Sequence, residues 1–159
     1  MLGNHDHWVH PEQVSAALAS CGYLVLQNEH TIVRVRGADL TVIGVDDGLT
    51  GNDDVEAAFD GAPKHGSRLV LAHTPPTVEK LPRNLNLVQF SGHTHGGQFM
   101  VPGVTKAIFK LAGQPYVRGL YQVNGNLLYV NRGLGFGHGG PLLRLGSHPE
   151  VAFFTLLRP

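Results

Sequence analysis

The chain has 159 residues, 42% of them hydrophobic, which suits one domain with a real core and rules out wholesale disorder. Twelve Lys plus Arg balance twelve Asp plus Glu, so no net charge draws the chain toward nucleic acid or an anionic membrane, and any phosphate chemistry must be local. Only 15% of residues are charged, whereas 21 Gly and 10 Pro favour many short strands and turns, which excludes coiled coils and helical bundles.

In chain order, Pro11 at a first helical position, Glu12 in the first turn, apolar Val14, Leu18 and Cys21 at helical spacing and Gly22 as a stop predict a helix over 11–21. Short apolar runs follow at 23–27, 31–36 and 40–45. In the second run Val33 and Val35 alternate with Arg34 and Arg36, as on a half-exposed strand, and Gly37-Ala38-Asp39 reads as the turn that follows. A weak helix is expected near 52–59. The compact apolar run Arg68 to Ala72 predicts a buried strand ending at His73, broken by Thr74-Pro75-Pro76. A short helix over 76–81 and a strand from Leu85 to Phe90 come next. Asn124-Gly125 between the runs 119–123 and 127–130 is a two-residue hairpin signal, and Val151 to Leu157 reads as a last strand. With no internal repeat or linker, residues 1–159 read as a single mixed α/β domain.

The lone Cys21 cannot build a disulfide framework or a Cys-based zinc site within one chain. No apolar run approaches the roughly eighteen residues that would span a bilayer, and the first residues lack the basic and apolar regions of an export signal. As given, the chain is expected to be cytoplasmic, with any membrane anchor or export signal lying in an upstream segment.

Ten histidines are the other unusual count. Gly92-His93-Thr94-His95-Gly96-Gly97 follows a predicted buried strand, and its flanking glycines allow a sharp turn that presents both imidazoles to a cleft. His73 lies just past another apolar strand, where open α/β sheets gather ligand-binding groups. Gly3-Asn4-His5-Asp6 adds an amide oxygen, an imidazole and a carboxylate in succession. A lone His is more often a structural or surface residue, and Asn-His-Asp clusters also make ordinary turns; the His93 and His95 pair favours metal ligation. Gly135-Phe136-Gly137-His138-Gly139-Gly140 has dinucleotide-loop spacing, but Pro141 replaces the helix such a loop needs, so a glycine-rich rim fits better. Asp46 and Asp47 could be taken for ligands, yet following a strand and preceding Gly48 they suit turn or capping roles at least as well. His7, His10, His30, His65 and His148 have no partner pattern and read as surface residues, and Trp8 and Tyr121 as core or cleft-wall aromatics.

Gly3-Asn4-His5-Asp6, then Leu71-Ala72-His73-Thr74-Pro75, then Gly92-His93-Thr94-His95 resemble, in this order, three motifs of the calcineurin-like metallophosphoesterase family, in its branch of small bacterial phosphodiesterases and phosphohydrolases. Similarity extends through Gly96-Gly97-Gln98, Gly44-Val45-Asp46-Asp47 and Leu128-Tyr129-Val130-Asn131-Arg132-Gly133-Leu134-Gly135, nearly the whole chain. The resemblance implies hydrolysis of phosphomonoesters or phosphodiesters by two divalent metals about 3.5–4 Å apart. It assigns Asn4, His73 and His93 to one metal and His95 to the other, with His5, positioned by Asp6, stabilising the transition state or protonating the leaving oxygen. Neutral imidazole and amide ligands suit Mn, Fe, Zn or Ni. The implied substrate is a small-molecule or lipid-linked phosphoester, and no nucleic acid is expected as a partner. The implied fold is a β-sandwich flanked by helices.

Two motifs of that family are absent, Asp-x-His and Gly-Asp-x-x-Asp, the second of which supplies the carboxylate bridging the metals. His95 is then the only protein ligand of its metal. The strands carrying those motifs belong to the sandwich, so an apolar face is expected to lie exposed. The expectation is that Met1 is an internal residue of a longer protein and that hydrolysis belongs to that longer form. The alternative is an inert domain binding at most one metal, or a subunit completed by a partner.

Overall fold

In the computed structural model, residues 1–136 and 143–157 are described. The glycine-rich stretch Gly137-His138-Gly139-Gly140 and Pro141 lie outside them, so the expected rim is described only as far as Phe136.

Six strands form one sheet in the order β1-β2-β3-β4-β6-β5. They are β1 (Glu29–Val35), β2 (Ala38–Val45), β3 (Ser67–Ala72), β4 (Val88–Ser91), β5 (Gly119–Val123) and β6 (Asn126–Val130). The four central strands run parallel, and β1 and β5 close the two edges as antiparallel hairpin partners. The helices are α1 (Asn4–Val9), α2 (Pro11–Ser20), α3 (Val55–Phe59) and α4 (Val104–Leu111), with 3₁₀ turns at Pro75–Glu79 and His95–Gly97. The α/β class is as expected.

Both hairpins rest on two-residue turns whose central residues adopt the left-handed conformation that matches strand twist: Asn124 and Gly125 at φ 51° and 77°, Arg36 and Gly37 at φ 49° and 79°. The first is the expected one. The second replaces the expected Gly37-Ala38-Asp39 turn, since Val35 already pairs with Ala38.

Along the central strands alternate residues face one apolar layer. Ile43 and Val45, Val70 and Ala72, Leu128 and Val130 are fully buried there, against Ala58 of α3 and Val78, Leu81 and Leu87 of the crossovers. Full burial of one such side chain contributes about 1.5–3 kcal/mol. This layer fixes the register in which every parallel strand ends at the same edge.

The other face, with Leu69, Leu71, Val88, Phe90 and Tyr129, is only half covered. Phe154 of the C-terminal segment lies over Phe90 and Tyr129, with ring centroids 4.5 and 4.9 Å away, and is itself 51% exposed. Residues 151–157 are therefore not a strand. They cross the sheet face, and Thr155 to Leu157 line a cavity of about 710 Å³ with Leu40, Leu69 and Val88. Nor is 23–27 a strand, because β1 and β3 already occupy both edges of β2. Among the described residues no helix is long and apolar enough to cross a membrane.

Candidate metal centre

The carboxyl ends of the parallel strands converge, the position at which open α/β sheets bind ligands. β3 delivers His73, β4 delivers Gly92 and His93, and β2 delivers Asp46 and Asp47. The Gly92 N–H donates to the His73 carbonyl at 3.2 Å and locks two of these ends together.

Asn4 reaches the same place from α1. Its side chain is 2% exposed, and its Oδ1 lies 3.0 Å from His73 Nε2 and 3.2 Å from His93 Nδ1. The two imidazoles meet edge to face, centroids 5.2 Å apart. The family resemblance assigns these three residues to one metal, and the fold brings them together across 69 and 89 positions. Asp6 secures the approach: its Oδ2 accepts the Gly3 N–H at 2.8 Å, capping the turn that carries Asn4 and His5. Gly3 itself packs against His73, where a Cβ would meet three ring atoms at 2.9 Å. His5 is exposed on that turn, its ring edge-on to Trp8 at 4.9 Å.

The glycines framing His93 and His95 do not do all the turning. The histidines themselves take left-handed backbones, φ 65° and 51°, which cost about 1–3 kcal/mol each and concentrate at functional sites. His95 has other partners than His93: its Nδ1 lies 3.1 Å from Gln98 Oε1, and its carbonyl accepts from Ser147 Oγ and Arg144.

Burial pushes the His93 imidazolium down to about pH 4, with the neighbouring His73 adding to the effect, and burial lowers His73 too. Both rings are therefore neutral near pH 7, the form that ligates metal.

Two further groups were not singled out as site residues from the sequence. Asp47 is fully buried, one oxygen accepting the Thr50 N–H at 2.8 Å in the expected turn, the other without a hydrogen-bond partner among the described residues. His7, expected at the surface, instead bonds Asp46 Oδ1 at 2.8 Å and ties α1 to the end of β2. Tyr121 has a structural role, its hydroxyl accepting the Val117 and Arg118 N–H groups.

A divalent cation fits Asn4, His73 and His93: one amide oxygen and two neutral imidazoles. Ligands at about 2.1 Å around a tetrahedral ion stand roughly 3.4 Å apart, near the two spacings found. A second ion does not fit on His95 alone. Among the described residues no group of three or more His, Cys, Asp or Glu is placed to hold a metal.

Comparison with curated proteins finds 33% identity to the uncharacterized metallophosphoesterase YkuE of Bacillus subtilis, over 98% of this chain and 54% of that protein. Phosphodiesterase YaeI of Escherichia coli is 32% identical over 98% of this chain and 57% of its own length. The chain belongs to the metallophosphoesterase family. A third member, the UDP-2,3-diacylglucosamine pyrophosphatase LpxG of Chlamydia trachomatis, is 31% identical over 74% of this chain and 37% of its own. The chain thus spans just over half the length of YkuE and YaeI. No family model matches it. No solved structure matches it either.

Proposed function

We propose that this chain carries the Asn and His half of a metal centre that hydrolyses phosphomonoester or phosphodiester bonds. The observation that carries the reading is the convergence of Asn4 Oδ1, His73 Nε2 and His93 Nδ1, supported by the names of the relatives. A bound divalent ion, Mn, Fe, Zn or Ni, supplies positive charge for the phosphoryl oxygens and acidifies water. The chain's own part is to hold that ion with neutral groups, so that its charge is not cancelled. His5, exposed on the first turn of α1, is suited to donate a proton to the leaving oxygen, and Asp6 steadies that turn. A two-metal mechanism requires His95 to be joined by carboxylates from outside the described residues. The name of the Chlamydia relative supports a substrate with a phosphate linkage on a nucleotide or lipid-bearing sugar.

The test is hydrolysis of bis(p-nitrophenyl) phosphate and p-nitrophenyl phosphate by this chain with each metal. Turnover should vanish with EDTA and fall at least 100-fold in His93→Ala. Turnover untouched by both treatments refutes the reading. A second reading, an inert chain holding one ion, is favoured by the lack, among the described residues, of any group of three His, Cys, Asp or Glu that includes His95. It predicts one metal per chain and no turnover, and two tightly held metals refute it.

A further inference from the structure

We propose that Asp47, through its unpartnered carboxylate oxygen, is the buried counter-charge of a divalent cation held by Asn4, His73 and His93. The inference rests on the metal-centre reading above and deepens it, and Asp47 acts as a positioning residue.

Val45 pairs with Ala72 at the last register step of β2 and β3, so Asp46 and Asp47 leave the sheet beside His73 and Thr74. The Gly48 N–H donates to Thr74 Oγ1 at 3.3 Å, which fixes the Asp47 loop against the residue after His73. One carboxylate oxygen is consumed by the Thr50 N–H, and the other, Oδ1, is buried with no hydrogen-bond partner among the described residues. Among the described residues no ion pair includes Asp47. A buried carboxylate left in that state is costly unless a cation compensates it. Asp47 holds its charge within electrostatic reach of both His73 and His93. It is not grouped with them as a direct ligand set, so its contribution comes from outside the coordinating atoms. A structural role alone needs only the oxygen that holds the Thr50 turn.

The test titrates Mn²⁺ into the 159-residue chain and its Asp47→Asn and Asp47→Ser variants, by calorimetry and by the metal-induced rise in Tm. Both variants keep an acceptor for the Thr50 N–H while removing the charge. The expected result is a 10–100-fold loss of Mn²⁺ affinity and a smaller metal-induced Tm rise, with the metal-free Tm unchanged or higher. A lower metal-free Tm with Mn²⁺ affinity within twofold of wild type overturns the inference and leaves Asp47 as a turn residue, the metal-centre reading intact. Absence of Mn²⁺ binding by the wild-type chain overturns both.

Discussion

Gly3→Ala tests whether close packing of α1 on His73 sets the geometry of the centre. Gly3 has φ −114° and ψ 173°, open to any residue, so its need for glycine is steric rather than conformational. The added methyl would lie 2.9 Å from Cγ, Cδ2 and Cε1 of His73, and real Cβ contacts essentially never fall below 3.0 Å. Relief requires a shift of several tenths of an ångström by the ring or by the first turn of α1. Either movement acts on the 3.0 Å contact between His73 Nε2 and Asn4 Oδ1. Overpacking of this kind costs about 1–3 kcal/mol of stability, and the poorer N-cap adds about 0.5–1. Metal affinity should fall more than stability does, by about 10–100-fold, because both ligands are displaced relative to each other. Calorimetric titration with Mn²⁺ beside urea unfolding measures the two effects. Gly3→Ser separates them further, since it restores a capping oxygen but keeps the methylene, and it should lose metal affinity equally. An affinity within twofold of wild type in both variants would show that the packing against Gly3 does not position His73.

Unfolded His93 takes up a proton near pH 6.5, but folded His93 only near pH 4. Metal-free stability should therefore be level above pH 6.5 and decline as pH falls toward 4, by at most about 3 kcal/mol and nearer 1–2 once the ring's partial exposure is allowed for. Urea midpoints from pH 4 to 8 measure this slope, and His93→Gln should flatten it. Gly96→Ala should destabilise by about 2–4 kcal/mol: φ is +63°, and a Cβ would lie 2.4 Å from Arg132 Cγ and Ser147 Oγ. Because Arg132 is paired to Glu150 at 2.7 Å, the clash is not relieved by a free side-chain end; an unchanged urea midpoint would contradict it. Phe154→Ala should lower Tm and raise binding of a hydrophobic dye, since it uncovers Phe90 and Tyr129; equal dye binding would mean the tail does not shield that face.

Elements whose residues carry their own backbone instruction were legible in the sequence. Asn124-Gly125 fixed a hairpin, Pro11 started α2, and the unbroken run before His73 became a central strand, buried on one face and half-covered on the other. The runs at 23–27 and 151–157 misled, because strand composition does not reveal whether an edge is free to pair. In the fold Tyr23 and Leu24 lie 66% and 67% exposed, while Phe154 covers a face instead of joining a ladder. Helix α1 was hidden by its own chemistry: Asn-His-Asp reads as a turn until Asp6 is seen accepting the Gly3 N–H. Helix α4 did carry a signal, Val104, Ile108 and Leu111 at helical spacing, although all three end up exposed. The motifs named Asn4, His73 and His93 correctly as neighbours. They did not disclose the left-handed backbone of the two histidines, nor the orphaned oxygen of Asp47, which depend on how β2 ends beside β3.

The long sequence separations within the centre have a consequence for folding. An ion bridging Asn4, His73 and His93 would act as a removable cross-link, closing loops of 69 and 89 residues. A permanent link of such span removes denatured-state entropy worth on the order of 4 kcal/mol. The three groups meet only where α1 docks at the ends of β3 and β4. Loading of the ion would then report completed folding, and a chelator would loosen the whole domain along with its site.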